Sequence, residues 1–220
     1  TVMAGEFNEE DGPEYESNQL YIVASTPMIY DMAPLQYLYG ANTLYNAGDT
    51  TYSFDPHTPF IETIWDGGGT DSLDFSNFNN KQTLNLEDGK SSTIGFDVNW
   101  SMDNNLGIAF NAIIENAKGG SGPDTITGNK YKNNLQGNAG NDIIDGGTDY
   151  DVATYSGDFS DYTFTMADKK LTVRDNRSSI NDGTDTLSNI ERLSFADKNA
   201  LVLGKEVKAI TSLVFQQKKV

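Results

Sequence analysis

The sequence predicts a mostly β fold: a parallel β-roll of nonapeptide repeats at 119–154, β-sandwich-like strands on either side, and one short N-terminal helix. Three observations carry this expectation. A repeat of period nine runs through 119–154. Short apolar-alternating segments between turns fill 50–117 and 155–203. The 220 residues also combine 21 Gly with an excess of Asp over Glu, 22 to 10. Asp is a poor helix former that prefers turns and caps, so this acidity belongs in turns rather than on helical faces.

Taken in order, residues 1–25 open with the acidic EFNEEDGPEYESN, a loop. The helix is expected within TPMIYDMAPLQYLYG (26–40). Asp31 would cap it, Pro34 would fall in its first turn, Gly40 would stop it, and Leu35, Leu38 and Tyr39 would form a short packing face. TTYSF, FIETIW, SLDF, TLNL, TIGFDV and GIAFNAII alternate in polarity and are rich in aromatic and branched residues, so they read as strands. After the repeat, YTFTM and KLTVRD form a hairpin around residues 168–169, and RLSF is a further strand. The tail LVLGKEVKAITSLVFQQKKV fits strand or helix.

The repeat reads GGSGPDTIT (119–127), GNKYKNNLQ (128–136), GNAGNDIID (137–145) and GGTDYDVAT (146–154). This is the G-G-x-G-x-D-x-U-x pattern of calcium-binding parallel β-rolls. Position 8, which must point into a narrow roll, is Ile126, Leu135, Ile144 and Ala153, all apolar. The outward positions 7 and 9 are mostly Thr, Asn, Gln and Asp, with Ile143 and Val152 as exceptions. Position 6 supplies an oxygen each time: Asp124, Asn133, Asp142 and Asp151. Two nonapeptides complete one turn, so residues eighteen apart stack on the same edge. Calcium takes 6–8 oxygens, many from backbone carbonyls. One site is therefore expected from Gly120, Gly122, Asp124, Gly137, Ala139 and Asp142, and a second from Asn129, Tyr131, Asn133, Gly146, Thr148 and Asp151. WDGGGTD (65–71) brackets flexible glycines with two carboxylates and is a further candidate turn.

Composition narrows the chemistry. There is no cysteine and a single histidine, His57, so thiolate catalysis, disulfides and a zinc site made of several imidazoles are not available from this chain. The net charge of −17 argues against nucleic acid as a partner. No apolar run approaches the ~18 residues of a membrane-spanning helix. The charge is uneven: residues 1–168 carry 26 acidic and 5 basic side chains, residues 169–220 carry 6 and 10. Absent cysteine and repeats suited to millimolar calcium fit a secreted, extracellular setting. The chain opens on Thr1 with no signal peptide, as a mature form or a cut-down piece of a longer protein would.

Beyond the repeat, TPMIYDMAPLQYLYGAN (26–42), NAGDTTYSF (46–54), IWDGGGTDSLDFS (64–76) and IENAKGGSGPDTITGN (114–129) resemble the C-terminal half of serralysin-type zinc metalloproteases, secreted enzymes that carry repeats-in-toxin calcium rolls. DNRSSINDGTDTLSNIERLSFAD resembles a β module common after such repeats. The resemblance implies two further calcium sites. One would use Asn46, Gly48, Thr50, Asp66, Gly68 and Asp71, with Asn46 replacing the family's usual Arg. The other would use Gly69, Asp71, Ile113 and Glu115. It also implies three parts: the end of a protease-like domain at 1–45, a calcium-binding β region at 46–154, and a C-terminal β module with a secretion signal at 155–220. TVMAG resembles the remnant of the Met-turn, with Met3 as its Met and Gly5 where a Tyr is usual. The three-histidine zinc motif is absent, so zinc enters only if an N-terminal domain supplies its site. The expected partners are calcium ions, the type I secretion machinery and an upstream protease domain. The expected role is a non-catalytic secretion and folding module. The alternatives are a calcium-dependent adhesin or glycan-binding module using Tyr21, Tyr45, Trp65 or Trp100, and a hydrolase built on paired carboxylates.

Overall fold

The computed structural model describes residues 22–98, 102–179, 181–203 and 206–210. Met3, Gly5, Tyr21, Trp100 and the tail 211–220 lie outside them.

Among the described residues there is one α-helix, α1 (Ile29–Tyr39), capped at Met28. Asp31 occupies its third position instead of the cap, and its carboxylate accepts the Met28 N–H at 3.2 Å. Pro34 lies inside the helix rather than in its first turn, and Gly40 ends it at φ +79°. The expected packing face is not packed: Leu35, Leu38 and Tyr39 are exposed, and only Ile29 is buried.

Strands then follow in short pieces: β1 (Thr51–Ser53), β2 (Glu62–Ile64), β3 (Ser72–Asp74), β4 (Gln82–Asn85), β5 (Ser91–Ile94), β6 (Leu106–Ile108), β7 (Asn116–Lys118), β8 (Thr125–Thr127), β9 (Asn134–Gln136), β10 (Ile143–Asp145) and β11 (Val152–Thr154). Strands of five or six residues then appear, β12 (Tyr162–Ala167), β13 (Lys170–Asp175), β14 (Thr184–Ser188) and β16 (Asn199–Leu203), together with the short β15 (Arg192–Ser194) and β17 (Glu206–Ala209). The hairpin between β12 and β13 turns where the sequence places it, with Asp168 and Lys169 both at positive φ.

Alternate strands fall into two sheets. One has the order β1-β3-β7-β9-β11-β15-β16-β17, the other β12-β13-β14-β10-β8-β4-β5-β6-β2. The pairings β3–β7–β9–β11–β15 and β4–β8–β10–β14 are all parallel. The roll therefore extends past the repeat in both directions. Leu73, Ala117, Leu135, Ala153 and Leu193 stack in register on one inner face; Leu84, Ile126, Ile144 and Leu187 stack on the other. All nine side chains are buried, and each Leu or Ile contributes about 2 kcal/mol on burial. Three-residue strands supply only one inward side chain apiece, so the core is one residue deep per sheet. Its ends are closed by aromatic clusters. Phe54, Phe60, Phe75, Phe78 and Phe96 pack at the first, with Phe54 and Phe60 stacked at 4.3 Å. Tyr155, Phe159, Tyr162, Phe164 and Phe195 pack at the second. At the second end the antiparallel hairpins β12–β13 and β16–β17 supply the outermost strands of the two sheets, whereas at the first end the edge strands β1 and β2 pair in parallel with β3 and β6. Among the described residues no helix is long and apolar enough to cross a membrane.

Candidate calcium sites

The turns entering each sheet stack into two columns of acidic and amide side chains. Before the β4–β8–β10–β14 strands, the Gln82 N–H donates to Asp124 Oδ1 at 2.6 Å, the Asp124 N–H to Asp142 Oδ1 at 2.7 Å, and the Asp142 N–H to Asp185 Oδ1 at 2.9 Å. In the other column the Thr50 N–H donates to Asp71 Oδ1 at 2.8 Å and the Asp71 N–H to Glu115 Oε2 at 2.7 Å. Further along, the Asn133 N–H donates to Asp151 Oδ1 at 2.8 Å and the Asp151 N–H to Glu191 Oε2 at 2.7 Å. Each carboxylate thus spends one oxygen on the backbone of the preceding turn.

The second oxygens are the informative ones. Asp71 Oδ2, Asp142 Oδ2 and Asp151 Oδ2 are buried with no hydrogen-bond partner. An ionised oxygen withdrawn from water without a partner costs several kcal/mol, so such atoms call for a proton or a cation. The surrounding backbone is tightly drawn in. A Cβ on Gly119 would stand 2.3 Å from Asp124 Oδ2 and 2.7 Å from the Gly137 carbonyl oxygen. One on Gly128 would meet the Gly146 carbonyl at 2.2 Å and Asn133 Oδ1 at 2.5 Å. Glycine here lets side-chain and carbonyl oxygens converge from adjacent turns.

The four expected ligand sets map onto this geometry as follows. Asn46, Gly48, Thr50, Asp66, Gly68 and Asp71 share one corner: Thr50 Oγ1 donates to the Gly48 carbonyl at 2.9 Å, and the Gly68 N–H to Asp66 Oδ1 at 2.8 Å. Asn46 Nδ2 donates to Tyr52 Oη, which in turn donates to Asp66 Oδ2 at 2.6 Å. Asp71 and Glu115 meet as described, and the Gly69 Cα lies against Gly48; Ile113 is half-buried two residues before Glu115. In the repeat, the Gly120 N–H donates to Asp124 Oδ2 at 2.6 Å, Gly137 lies against Asp142 Oδ2, and Gly122 presents its carbonyl to Gly140. Ala139 is half-buried in the same turn. In the second repeat set, the Asn129 N–H donates to Asn133 Oδ1 at 2.7 Å, the Tyr131 N–H to Asn129 Oδ1 at 2.9 Å, and the Thr148 N–H to the Asn129 carbonyl at 3.2 Å. Gly146 lies against Asp151 Oδ2.

Burial is the first cause that pushes these carboxyls up: Asp71, Asp124 and Asp151 to about 6, Asp185 to about 7 and Asp142 to about 8, with neighbouring carboxylates adding to the rise around Asp71, Asp142, Asp151 and Asp185. Among the described residues no group of three or more His, Asp or Glu side chains converges on one point. Each cluster instead offers one or two carboxylates among backbone carbonyls. That donor set is all hard oxygen; it suits calcium and does not suit zinc. His57 is exposed, its N–H donating to Asp55 Oδ1 at 2.9 Å.

Two members of the columns, Asp185 and Glu191, are absent from the ligand sets expected from sequence. DGTDTLS (182–188) carries Gly, Asp and Leu at the spacing of positions 4, 6 and 8 of the repeat, and that was the available signal. Glu191 has no such signal, because only the fold brings it beside Asp151.

A family model described as the C-terminal region of M10 serralysin peptidases matches residues 36–219. The chain belongs to this family. Serralysin-family relatives include the metallopeptidase AprA of Pseudomonas marginalis, 42% identical over 122 residues, which are 50% of this chain and 24% of that protein. Serralysin of Proteus mirabilis is 36% identical over 147 residues, 61% of this chain and 28% of its own. Serralysin C of Dickeya chrysanthemi is 36% identical over 138 residues, 57% and 27% respectively. The chain spans about a quarter of the length of these curated serralysin relatives.

Proposed function

We propose that this chain is the calcium-dependent folding and export module of a secreted serralysin-like metalloprotease, and that it is not itself catalytic. The observation that carries the reading is the set of buried, unpartnered oxygens on Asp71, Asp142 and Asp151, with the Asn189 carbonyl crowded into the same space as that of Asp151. Calcium would neutralise these oxygens and tie each turn to the next. The ligands would be the four sets named above, with carbonyls completing each shell. At low calcium inside a cell the columns repel, which weakens the fold and leaves the acidic repeats loose enough for export through a type I route. At extracellular calcium, binding drives folding, because only the folded chain assembles the sites. Affinities of about 10⁻⁴–10⁻³ M would suit that switch.

Any zinc and its catalytic residues would belong to another part of the protein, since the lone His57 cannot replace a three-histidine site. The exposed Tyr37, Leu38 and Tyr39 at the C-terminal end of α1 are the apolar surface on which such an upstream domain would pack. A binding-module reading is favoured by one cleft, where Met32, Tyr45, Tyr52 and Trp65 line a recess beside the first site; pull-down on cell-surface glycans separates it.

The deciding experiment is far-UV circular dichroism during a calcium titration and its reversal by chelator. A calcium-driven gain in β signal and melting temperature supports the module. The same fold and melting temperature in chelator would overturn it. The isolated chain is also expected to leave casein uncut, and chelator-sensitive cleavage would refute the non-catalytic assignment.

A further inference from the structure

We propose that the C-terminal end of the roll holds an additional calcium site, built from the carboxylates of Asp151 and Glu191 and the main-chain carbonyls of Asp149 and Asn189. The inference rests on the calcium reading above and adds a site to it.

The argument is an internal correspondence between the two ends of one column. At the first end, Asp71 accepts the Thr50 N–H, donates its own N–H to Glu115 Oε2 at 2.7 Å, and accepts the Glu115 and Asn116 N–H groups on its carbonyl at 3.2 and 2.9 Å. At the other end, Asp151 accepts the Asn133 N–H, donates to Glu191 Oε2 at 2.7 Å, and accepts the Glu191 and Arg192 N–H groups at 3.2 and 3.1 Å. Gly69 and Asp149, each two residues before the aspartate, both lie at positive φ, +137° and +80°. Asn189 stands two residues before Glu191, as Ile113 does before Glu115.

A second observation points to a ligand. Asp151 is fully buried, and its Oδ2 has no partner. A Cβ on Gly146 would lie 2.7 Å from that oxygen and 2.0 Å from the Asn189 carbonyl, so both oxygens crowd the same space above Gly146. Among the described residues no basic side chain pairs with Asp151 or Glu191. The carboxylate of Asp149 is turned back to the Tyr150 N–H at 2.8 Å, leaving its carbonyl as the group offered. Two carboxylates, two carbonyls and water make a hard-oxygen shell for calcium. An ion there would clamp β15, and with it the β16–β17 hairpin, onto the last turn of the repeat.

The test is the calcium content of the intact chain, measured by equilibrium dialysis at saturating calcium for wild type, Glu191→Gln and, as reference, Glu115→Gln. Glutamine is isosteric, and its amide oxygen still accepts the Asp151 N–H. Glu191→Gln is expected to bind one ion fewer than wild type with an unchanged β spectrum in calcium. An unchanged count overturns the site. Tyrosine-sensitised terbium luminescence gives a measurement independent of that variant's folding. Tyr150→Phe is expected to lose part of the emission, since Tyr150 lies between two of the ligands, and full emission would count against the site. Wild type binding no calcium overturns the functional reading itself. Wild type binding calcium while Glu191→Gln binds as many overturns only this site.

Discussion

Replacing Asp142 by Asn should change the stability of the chain in opposite directions with and without calcium. In the metal-free chain Asp142 is buried, its Oδ2 is unpartnered, and burial, with Asp185 and Asp124 close by, pushes its carboxyl up to about 8. A folded-state pKa above the unfolded value near 3.9 favours folding when the group is protonated. That contribution is complete below about pH 4 and lost as pH rises through about 8. At pH 8 in chelator the ionised carboxyl therefore costs the fold about 3–5 kcal/mol, allowing for solvent screening, and Asn removes that cost. In calcium the same substitution removes a charged ligand. A site filled at a hundred times its Kd supplies about 2.7 kcal/mol, so most of that is forfeited. The assay is thermal circular dichroism of both proteins in chelator and in calcium, at pH 5 and pH 8. Asp142→Asn should melt higher than wild type in chelator at pH 8, by a much smaller margin at pH 5, and lower in calcium. If it is destabilised to the same extent in chelator and in calcium at pH 8, Asp142 is not a charge waiting for a cation and the argument fails.

Other perturbations test the architecture. Ile144→Ala in the roll interior should cost about 3 kcal/mol by urea unfolding in calcium, and the exposed Ile143→Ala within about 0.5 kcal/mol of zero; equal costs would put the register one residue out. Gly119→Ala drives a methyl onto Asp124 Oδ2 and the Gly137 carbonyl, so by calorimetry the calcium midpoint should weaken by about tenfold or more, about 1.4 kcal/mol. Arg177→Ala strips the partner from buried Asp175, at 2.6 Å, and from Asp182, at 3.3 Å. It should destabilise by about 3 kcal/mol in calcium, measured by urea unfolding, since one side of a largely buried ion pair is left alone; a loss under about 1 kcal/mol would show that solvent replaces the guanidinium.

The parts of this fold that could be read from sequence are those where one residue type has one job. Asp or Asn at position 6 and an apolar residue at position 8 recur every nine residues, and the structure stacks them eighteen apart as the period demands. The extension of the roll through Leu73 and Leu193 was hidden, because their turns depart from the repeat's spacing while the parallel pairing survives. Ile143 and Val152, apolar at an outward position, divide: Ile143 is exposed and Val152 is buried beside the last turn. The helix was located, but not its environment. Tyr30 meets the Phe110 ring at 6.2 Å and Gln36 Nε2 donates to the Phe110 carbonyl at 3.3 Å, long-range contacts that the helix's own spacing does not announce. Glu191 was invisible because its meaning comes from a neighbour forty residues away in sequence.

The two columns also set a rule for length. In the calcium-bound roll proposed above, ions would tie turns that stand eighteen residues apart, and strands alternate between sheets every nine residues through the repeat. Removing one whole turn, residues 128–145, would leave Gly146 following Thr127 with both columns in phase, and the shortened roll should fold with fewer calcium ions. Removing nine residues, 128–136, keeps the motif intact yet sends every later strand to the opposite sheet, so the capping hairpins arrive on the wrong side. A roll of this kind can be shortened only in even numbers of repeats.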